Sequence, residues 1–177
     1  MLRRDFLILG TASAAGWLLL PAAGLAKEEP KMPAKPGEKI AKLQKPLPEW
    51  RKLLQPEQYA VLFEAATERA GTSPLNHEKR KGTFLCAACR LPLFSSEAKF
   101  DSGTGWPSFF QALEGRVETK RDFKLLLPRT EYHCARCGGH QGHVFDDGPP
   151  PTGKRYCNNG VALEFVTDGT PLPELRS

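Results

Sequence analysis

Thr130-Glu131-Tyr132-His133-Cys134-Ala135-Arg136-Cys137-Gly138-Gly139-His140-Gln141-Gly142-His143-Val144-Phe145-Asp146-Asp147-Gly148 is the stretch on which the reading of this chain turns. It holds two short runs rich in Tyr, Val and Phe, 130–135 and 142–146, separated by Gly. Runs of that length and composition, bounded by Gly and Asp, predict β-strands. Between them Cys134-Ala135-Arg136-Cys137 is a Cys-x-x-Cys pair, and His140 and His143 follow it three residues apart.

Outward from there, 115–119, 121–127, 154–158 and 161–166 have the same character and are divided by Gly, Pro, Asp and Asn. Leu125-Leu126-Leu127 also fits a buried helical turn, which Pro128 would cut off. Upstream the pattern is helical. Glu49 to Leu54 gives one short turn. Pro56 opens a second helix where its missing N–H costs nothing. Val61, Leu62, Ala65, Ala66 and Ala70 then recur at three-to-four spacing until Gly71. A third short helix is expected from Pro107, carrying Phe109 and Phe110. The expectation is helices first, then a mainly β, antiparallel core.

Cysteine usage carries the chemistry. Of five cysteines, four form the pairs Cys86-Ala87-Ala88-Cys89 and Cys134-Ala135-Arg136-Cys137. A two-residue gap lets both sulfurs of a knuckle reach one tetrahedral ion at about 2.3 Å. Two knuckles complete four-coordination and leave no open position, so the expectation is one structural Zn²⁺ per chain. Two disulfides are the alternative in an oxidising compartment. A thioredoxin-like redox pair lacks its βαβ surroundings.

Cys157 is left over, in Lys154-Arg155-Tyr156-Cys157-Asn158-Asn159-Gly160. On a strand Arg155, Cys157 and Asn159 share one face. A nearby guanidinium favours the thiolate, the nucleophilic form. A small buried apolar Cys is the alternative. His140 and His143 are suited to proton transfer near neutral pH, with Asp147 placed to orient one of them; a His-containing turn is the plainer reading. In Phe100-Asp101-Ser102-Gly103-Thr104-Gly105-Trp106-Pro107-Ser108-Phe109, glycines flank Trp106 on what reads as a tight loop. Such a loop can expose a rigid aromatic wall; a core Trp is the alternative.

The 177-residue length suits one core without obligatory disulfide staples. Hydrophobic residues at 40% and charged ones at 25% fit a soluble globular protein. The formal net charge of +5 becomes +4 once two Arg and one Asp of residues 1–26 are set aside. No basic stripe interleaves with aromatics, so nucleic-acid binding is not expected. Residues 1–26 read as an export signal: Leu2-Arg3-Arg4-Asp5-Phe6-Leu7, an apolar run to Leu20, then Pro21-Ala22-Ala23-Gly24-Leu25-Ala26. The paired arginines before Phe6-Leu7 resemble a twin-arginine signal, implying a periplasmic bacterial location. An uncleaved anchor is the alternative. With cleavage after Ala26 no membrane span is expected, because no second run of about 18 apolar residues exists. Residues 27–48 are rich in Lys, Pro and Glu and predict a linker, leaving 49–177 as the domain.

Several segments together resemble the B-type methionine sulfoxide reductases. They are Lys81 to Cys89, Leu93-Phe94-Ser95-Ser96, Lys99 to Phe109, Gly142 to Gly148 and Arg155-Tyr156-Cys157. The resemblance runs from about Trp50 to Phe165. It implies two antiparallel sheets with the N-terminal helices, a structural zinc site away from the active centre, and reduction of protein-bound methionine-R-sulfoxide by an external thiol, from a thioredoxin-like protein or a small dithiol. It implies Cys157 as nucleophile, His140 and His143 beside the sulfoxide oxygen, Trp106 as the wall for the S-methyl group, and Phe145 lining the pocket. It further implies that Arg155 and Asp147 shape the thiolate environment and that Asn159 contacts the site. Many members carry a resolving Cys where this chain has Thr104, so a one-cysteine cycle is expected. Thr72-Ser73-Pro74-Leu75, Asn158 and Gly160 also depart from the usual pattern. Outside this family, a zinc-ribbon-like binding module with inert Cys157, or a thiol peroxidase, remains open.

Overall fold

The computed structural model of the chain describes residues 40–123 and 128–177. The expected export signal, most of the expected linker and Leu125-Leu126-Leu127 lie outside the described residues. Ile40 and Leu43 already pack against the core, and the Leu43 N–H donates to the Arg136 carbonyl (2.7 Å). The linker expected to reach residue 48 therefore gives way sooner, because these two apolar side chains find a surface to bury.

Two short helices follow, α1 (Leu47–Leu53) and α2 (Pro56–Glu64), each with a proline in its first turn. The Gln58 side chain accepts the Gln55 N–H (3.2 Å), a group the helix itself leaves unsatisfied. Trp50, Tyr59, Val61 and Leu62 face inward, and Trp50 stacks on Phe63 at 5.4 Å between centroids. α2 ends at Glu64, short of the expected Gly71; Ala65 turns left-handed at φ 51°. Beyond it the backbone bonds across the molecule: the Glu68 N–H donates to Asn159 Oδ1 (2.9 Å) and the Gly71 N–H to the Gly105 carbonyl (2.8 Å). Those partners replace the helical ones.

Among the described residues nine strands complete the fold: β1 (Gly82–Cys86), β2 (Pro92–Ser95), β3 (Lys99–Phe100), β4 (Ser108–Phe109), β5 (Val117–Asp122), β6 (Arg129–Cys134), β7 (His140–Phe145), β8 (Arg155–Asn158) and β9 (Leu163–Thr167). One sheet has the order β2-β1-β9, the other β3-β4-β8-β7-β6-β5. Every pairing is antiparallel. The fold is thus mainly β with two antiparallel sheets, as expected, but strands begin earlier than read, at β1. The expected runs 115–119 and 121–127 merge, because each residue from Val117 to Asp122 has its partner on β6. The helix expected from Pro107 is instead β4, since Ser108 and Phe109 pair with Cys157 and Tyr156. That pairing sends Phe109 into the core, stacked on Phe94 at 4.2 Å and edge-on to Phe84 at 4.9 Å. Phe84, Phe94, Phe109 and Tyr132 are fully buried. Among the described residues no helix is long and apolar enough to cross a membrane.

Candidate active site

The Sγ atoms of Cys86, Cys89, Cys134 and Cys137 all lie within 4.8 Å of one another. Cys86 is 3.7 Å from Cys137, and Cys89 is 3.5 Å from Cys134. Each knuckle is a tight turn off a strand end. The Cys86 carbonyl takes the Arg90 N–H (2.8 Å) and the Cys134 carbonyl the Gly138 N–H (2.9 Å). Arg90 and Gly138 are both left-handed, at φ 63° and 72°. A tetrahedral ion at about 2.3 Å from each sulfur needs sulfur–sulfur edges of about 3.8 Å. The donor set therefore fits a metal ion such as zinc. One knuckle leaves β1 and the other β6, so the cluster joins the two sheets. Arg176 reaches the first knuckle, donating from Nη1 to the Ala87 carbonyl (2.8 Å) and from its N–H to the Cys89 carbonyl (3.2 Å).

Cys157 lies mid-strand in β8, paired with Ser108 on β4 and His143 on β7. It is half-buried, and burial pushes its thiol up. The Thr104 hydroxyl, 3.9 Å from Sγ, pulls the other way with Arg155 and Ser108, without cancelling that rise. Arg155 thus favours the thiolate, as expected from sequence, but desolvation wins.

Arg155 lies over the Phe145 ring, 4.3 Å from its centroid. Its Nε and Nη2 donate to the two oxygens of Asp147, both at 2.8 Å. Asp147 therefore orients the guanidinium and not a histidine, which corrects the sequence reading; a carboxylate matches the two-pronged fork of arginine. The histidines have other partners. His143 Nε2 lies 2.8 Å from Asp122 Oδ2, which also accepts from Arg129 Nη2 (2.8 Å). His140 Nδ1 lies 3.0 Å from Glu131 Oε1, with Lys120 Nζ 3.3 Å from the same oxygen. Burial pushes Glu131 up, yet His140 and Lys120 outweigh it and hold the carboxyl below its usual range. Sequence reasoning missed both acids. Their one local signal was an acidic side chain inside a strand-like run.

Residues three apart on a regular strand face opposite ways. Here the β6–β7 register slips between the pairs Tyr132–Gly142 and His133–His140, making Gln141 the extra residue of a bulge. The bulge re-aims the strand so that the two rings meet, with centroids 5.5 Å apart. Gly142 lets β7 approach β8 here: a Cβ on it would lie 1.9 Å from the Cys157 carbonyl oxygen.

An open cleft brings together Cys157, His143, Trp106, Phe145 and Asn159, and adds Thr67 and Arg129, which sequence reading did not single out. His140 is buried and lies outside that lining. Trp106 forms a wall of the cleft, its Nε1 donating to the Glu68 carbonyl (3.0 Å). Its loop turns at left-handed Gly105 (φ 88°), where a Cβ would lie 2.9 Å from the Gly71 nitrogen. Asn159 lines the cleft with its amide already engaged: Oδ1 accepts the Glu68 N–H (2.9 Å) and Nδ2 donates to the Gln141 carbonyl (2.9 Å). It positions its neighbours.

Cys157 thus lies in one cleft with an indole wall and a carboxylate-held histidine, on a β fold joined by a four-cysteine cluster. Residues 54–167 match the family model described as the SelR domain. A peptide methionine sulfoxide reductase MsrB of Methanosarcina barkeri is 54% identical over 121 residues, 68% of this chain and 85% of that protein. One of Pseudomonas putida is 55% identical over 128 residues, 71% of this chain and 96% of that protein. The solved Mis18 "Yippee-like" domain is similar at 22% identity and TM-score 0.41 over 51% of this chain and 100% of that one. The chain belongs to the SelR-domain family, that of the B-type peptide methionine sulfoxide reductases.

Proposed function

We propose that this chain reduces the R-epimer of protein-bound methionine sulfoxide to methionine, with Cys157 as nucleophile and an external thiol as reductant. The observation that carries the reading is the cleft shared by Cys157, His143 and Trp106. A sulfoxide sulfur is a poor electrophile until its oxygen is protonated or strongly hydrogen-bonded. His143 supplies that proton. Its Nε2 is held by Asp122, which leaves Nδ1 for the substrate oxygen. His140 supports it from behind. The Cys157 thiolate attacks the sulfur and forms a sulfur–sulfur bond; the protonated oxygen then passes from the methionine sulfur to the Cys157 sulfur as that sulfur–sulfur bond breaks, releasing methionine and leaving Cys157 as a sulfenic acid. Trp106 receives the S-methyl group and Phe145 closes the pocket beside it. The opposite epimer would turn its oxygen toward the indole.

An external thiolate then attacks the sulfenic sulfur, and the oxygen leaves as water. A second external thiol releases Cys157 from the mixed disulfide. The cycle consumes one sulfoxide and two thiols and yields methionine, water and one disulfide. Thr104 occupies the place beside Cys157 from which an internal sulfur would act. The reductant is a thioredoxin-like protein or a small dithiol. The four cysteines of the knuckles would hold one Zn²⁺, which when bound is a structural cross-link with no open position. Export by the twin-arginine route, which carries folded proteins, would let that ion be loaded in the reducing cytoplasm before the chain reaches the periplasm.

Presenting the two sulfoxide epimers separately with a small dithiol tests the reading. Turnover of the R form is expected, lost in Cys157→Ser with zinc content unchanged. Undiminished turnover by that variant would sink the assignment, and an intramolecular disulfide at Cys157 after turnover would overturn the one-cysteine cycle.

A further inference from the structure

The chemistry above makes no use of Gln141, yet this side chain is fully buried and touches both sulfur centres' surroundings. Its Nε2 donates to Cys86 Sγ (3.4 Å). Its Oε1 lies 3.5 Å from Asn158 Nδ2. Its carbonyl accepts both the Asn159 N–H (2.8 Å) and Asn159 Nδ2 (2.9 Å). Asn158 is itself fully buried: Oδ1 accepts the Tyr132 hydroxyl (2.6 Å) and Nδ2 donates to the Asn159 carbonyl (2.7 Å). The two asparagines follow Cys157 directly in sequence.

We infer that Gln141 is a positioning residue that ties the four-cysteine cluster to the catalytic strand, so that the placement of Cys157 and of the histidine pair depends on where the Cys86 sulfur is held. The physical basis is twofold. As the extra residue of the β7 bulge, Gln141 fixes the turn that brings His140 and His143 together. As a buried amide, it has no water to fall back on, so a lost partner leaves it unsatisfied and forces the strand to readjust. A ligated Cys86 sulfur stays in place and pins one end; the asparagines carry the constraint to the other. An apolar side chain at 158 would make neither the bond to Gln141 nor the one to the Tyr132 hydroxyl, which gives a use to a residue that departs from the family pattern.

The inference rests on Cys157 being the reacting thiol. The test compares wild type with Gln141→Met, which keeps volume and removes the amide, in the zinc-loaded full chain and in cobalt-substituted protein. Two readouts lie at the two ends of the tether: the sulfur-to-cobalt absorption bands, and the pH dependence of Cys157 alkylation by iodoacetamide. Both should shift, and kcat/KM should fall about ten- to hundredfold, the range expected for a misplaced reacting group. A Gln141→Met protein with either readout unmoved overturns the tether, whatever happens to its Tm. Asn158→Leu removes the far anchor from another strand and should move the alkylation profile while the cobalt bands remain; unmoved alkylation there also overturns it. A Cys157→Ser protein that keeps R-sulfoxide turnover would instead refute the functional reading, so the two failures are distinguishable.

Discussion

At the residue scale the site is a contest between burial and charge. Burial holds the Cys157 thiol up, and Arg155 is among the groups that oppose it. Alkylation of Cys157 should therefore rise through a midpoint above that of a free thiol, about 8.5. Arg155→Met removes a cation that favours the thiolate, so its midpoint should move further up. Each unit of rise lowers the thiolate fraction at neutral pH about tenfold. Timed iodoacetamide trapping across pH, read by mass, checks both the sign and the order. A second expectation concerns Asp122, whose oxygen holds both His143 and Arg129. Asp122→Asn keeps the shape but loses the carboxylate charge that holds both His143 Nε2 and Arg129 Nη2. Its kcat should fall, by at most the roughly hundred- to ten-thousandfold that general acid catalysis supplies, with Cys157 alkylation unchanged. The sequence disclosed the cleft residues Cys157, His143 and Trp106 because Cys, His and Trp carry their chemistry in their identity. It did not disclose Asp122 and Glu131, because an acid becomes a histidine partner only through the pairing of β5, β6 and β7.

At the scale of elements, β8 is the axis of the site, flanked by β4 and β7. Gly142 is where that arrangement is least tolerant. A Cβ there would meet the Cys157 carbonyl oxygen at 1.9 Å and Asn158 Cα at 3.2 Å, both on the neighbouring backbone, which cannot swing aside. Gly142→Ala should cost at least the roughly 1–3 kcal/mol usual for overpacking. Urea unfolding would show the loss as a lower midpoint, accompanied by lost turnover. Long strands with alternating or apolar runs, such as β6 and β7, were legible in the sequence. The two-residue strands β3 and β4 were not, because they are too short to show a period and exist only through their neighbours. The same holds for the end of α2. Val61 to Ala70 keeps a helical spacing, but the backbone of Glu68 and Gly71 bonds to distant residues instead.

At the scale of the whole molecule, the knuckles hold the three-stranded and six-stranded sheets together. Stripping the metal with a chelator under reducing conditions should lower Tm and loosen the seam between the sheets, since binding energy at such a site is folding energy. Calorimetry with and without added zinc measures the effect; an unchanged Tm would mean that the seam stands without the ion. The Cys-x-x-Cys spacing made the cluster legible, but not that it bridges two sheets, a property of topology alone. Nor did composition disclose that Ile40 and Leu43 belong to the packed body.

The backbone at Leu43 bonds to Arg136 in one knuckle, while Arg176 grips the other. Anything appended just beyond Ser177 therefore hangs next to the sulfur quartet. A polyhistidine purification handle fused there would compete for any ion that the quartet holds. Spliced into the Asp168-Gly169 turn, at the far end of β1 from Cys86, the same handle would leave that ion undisturbed.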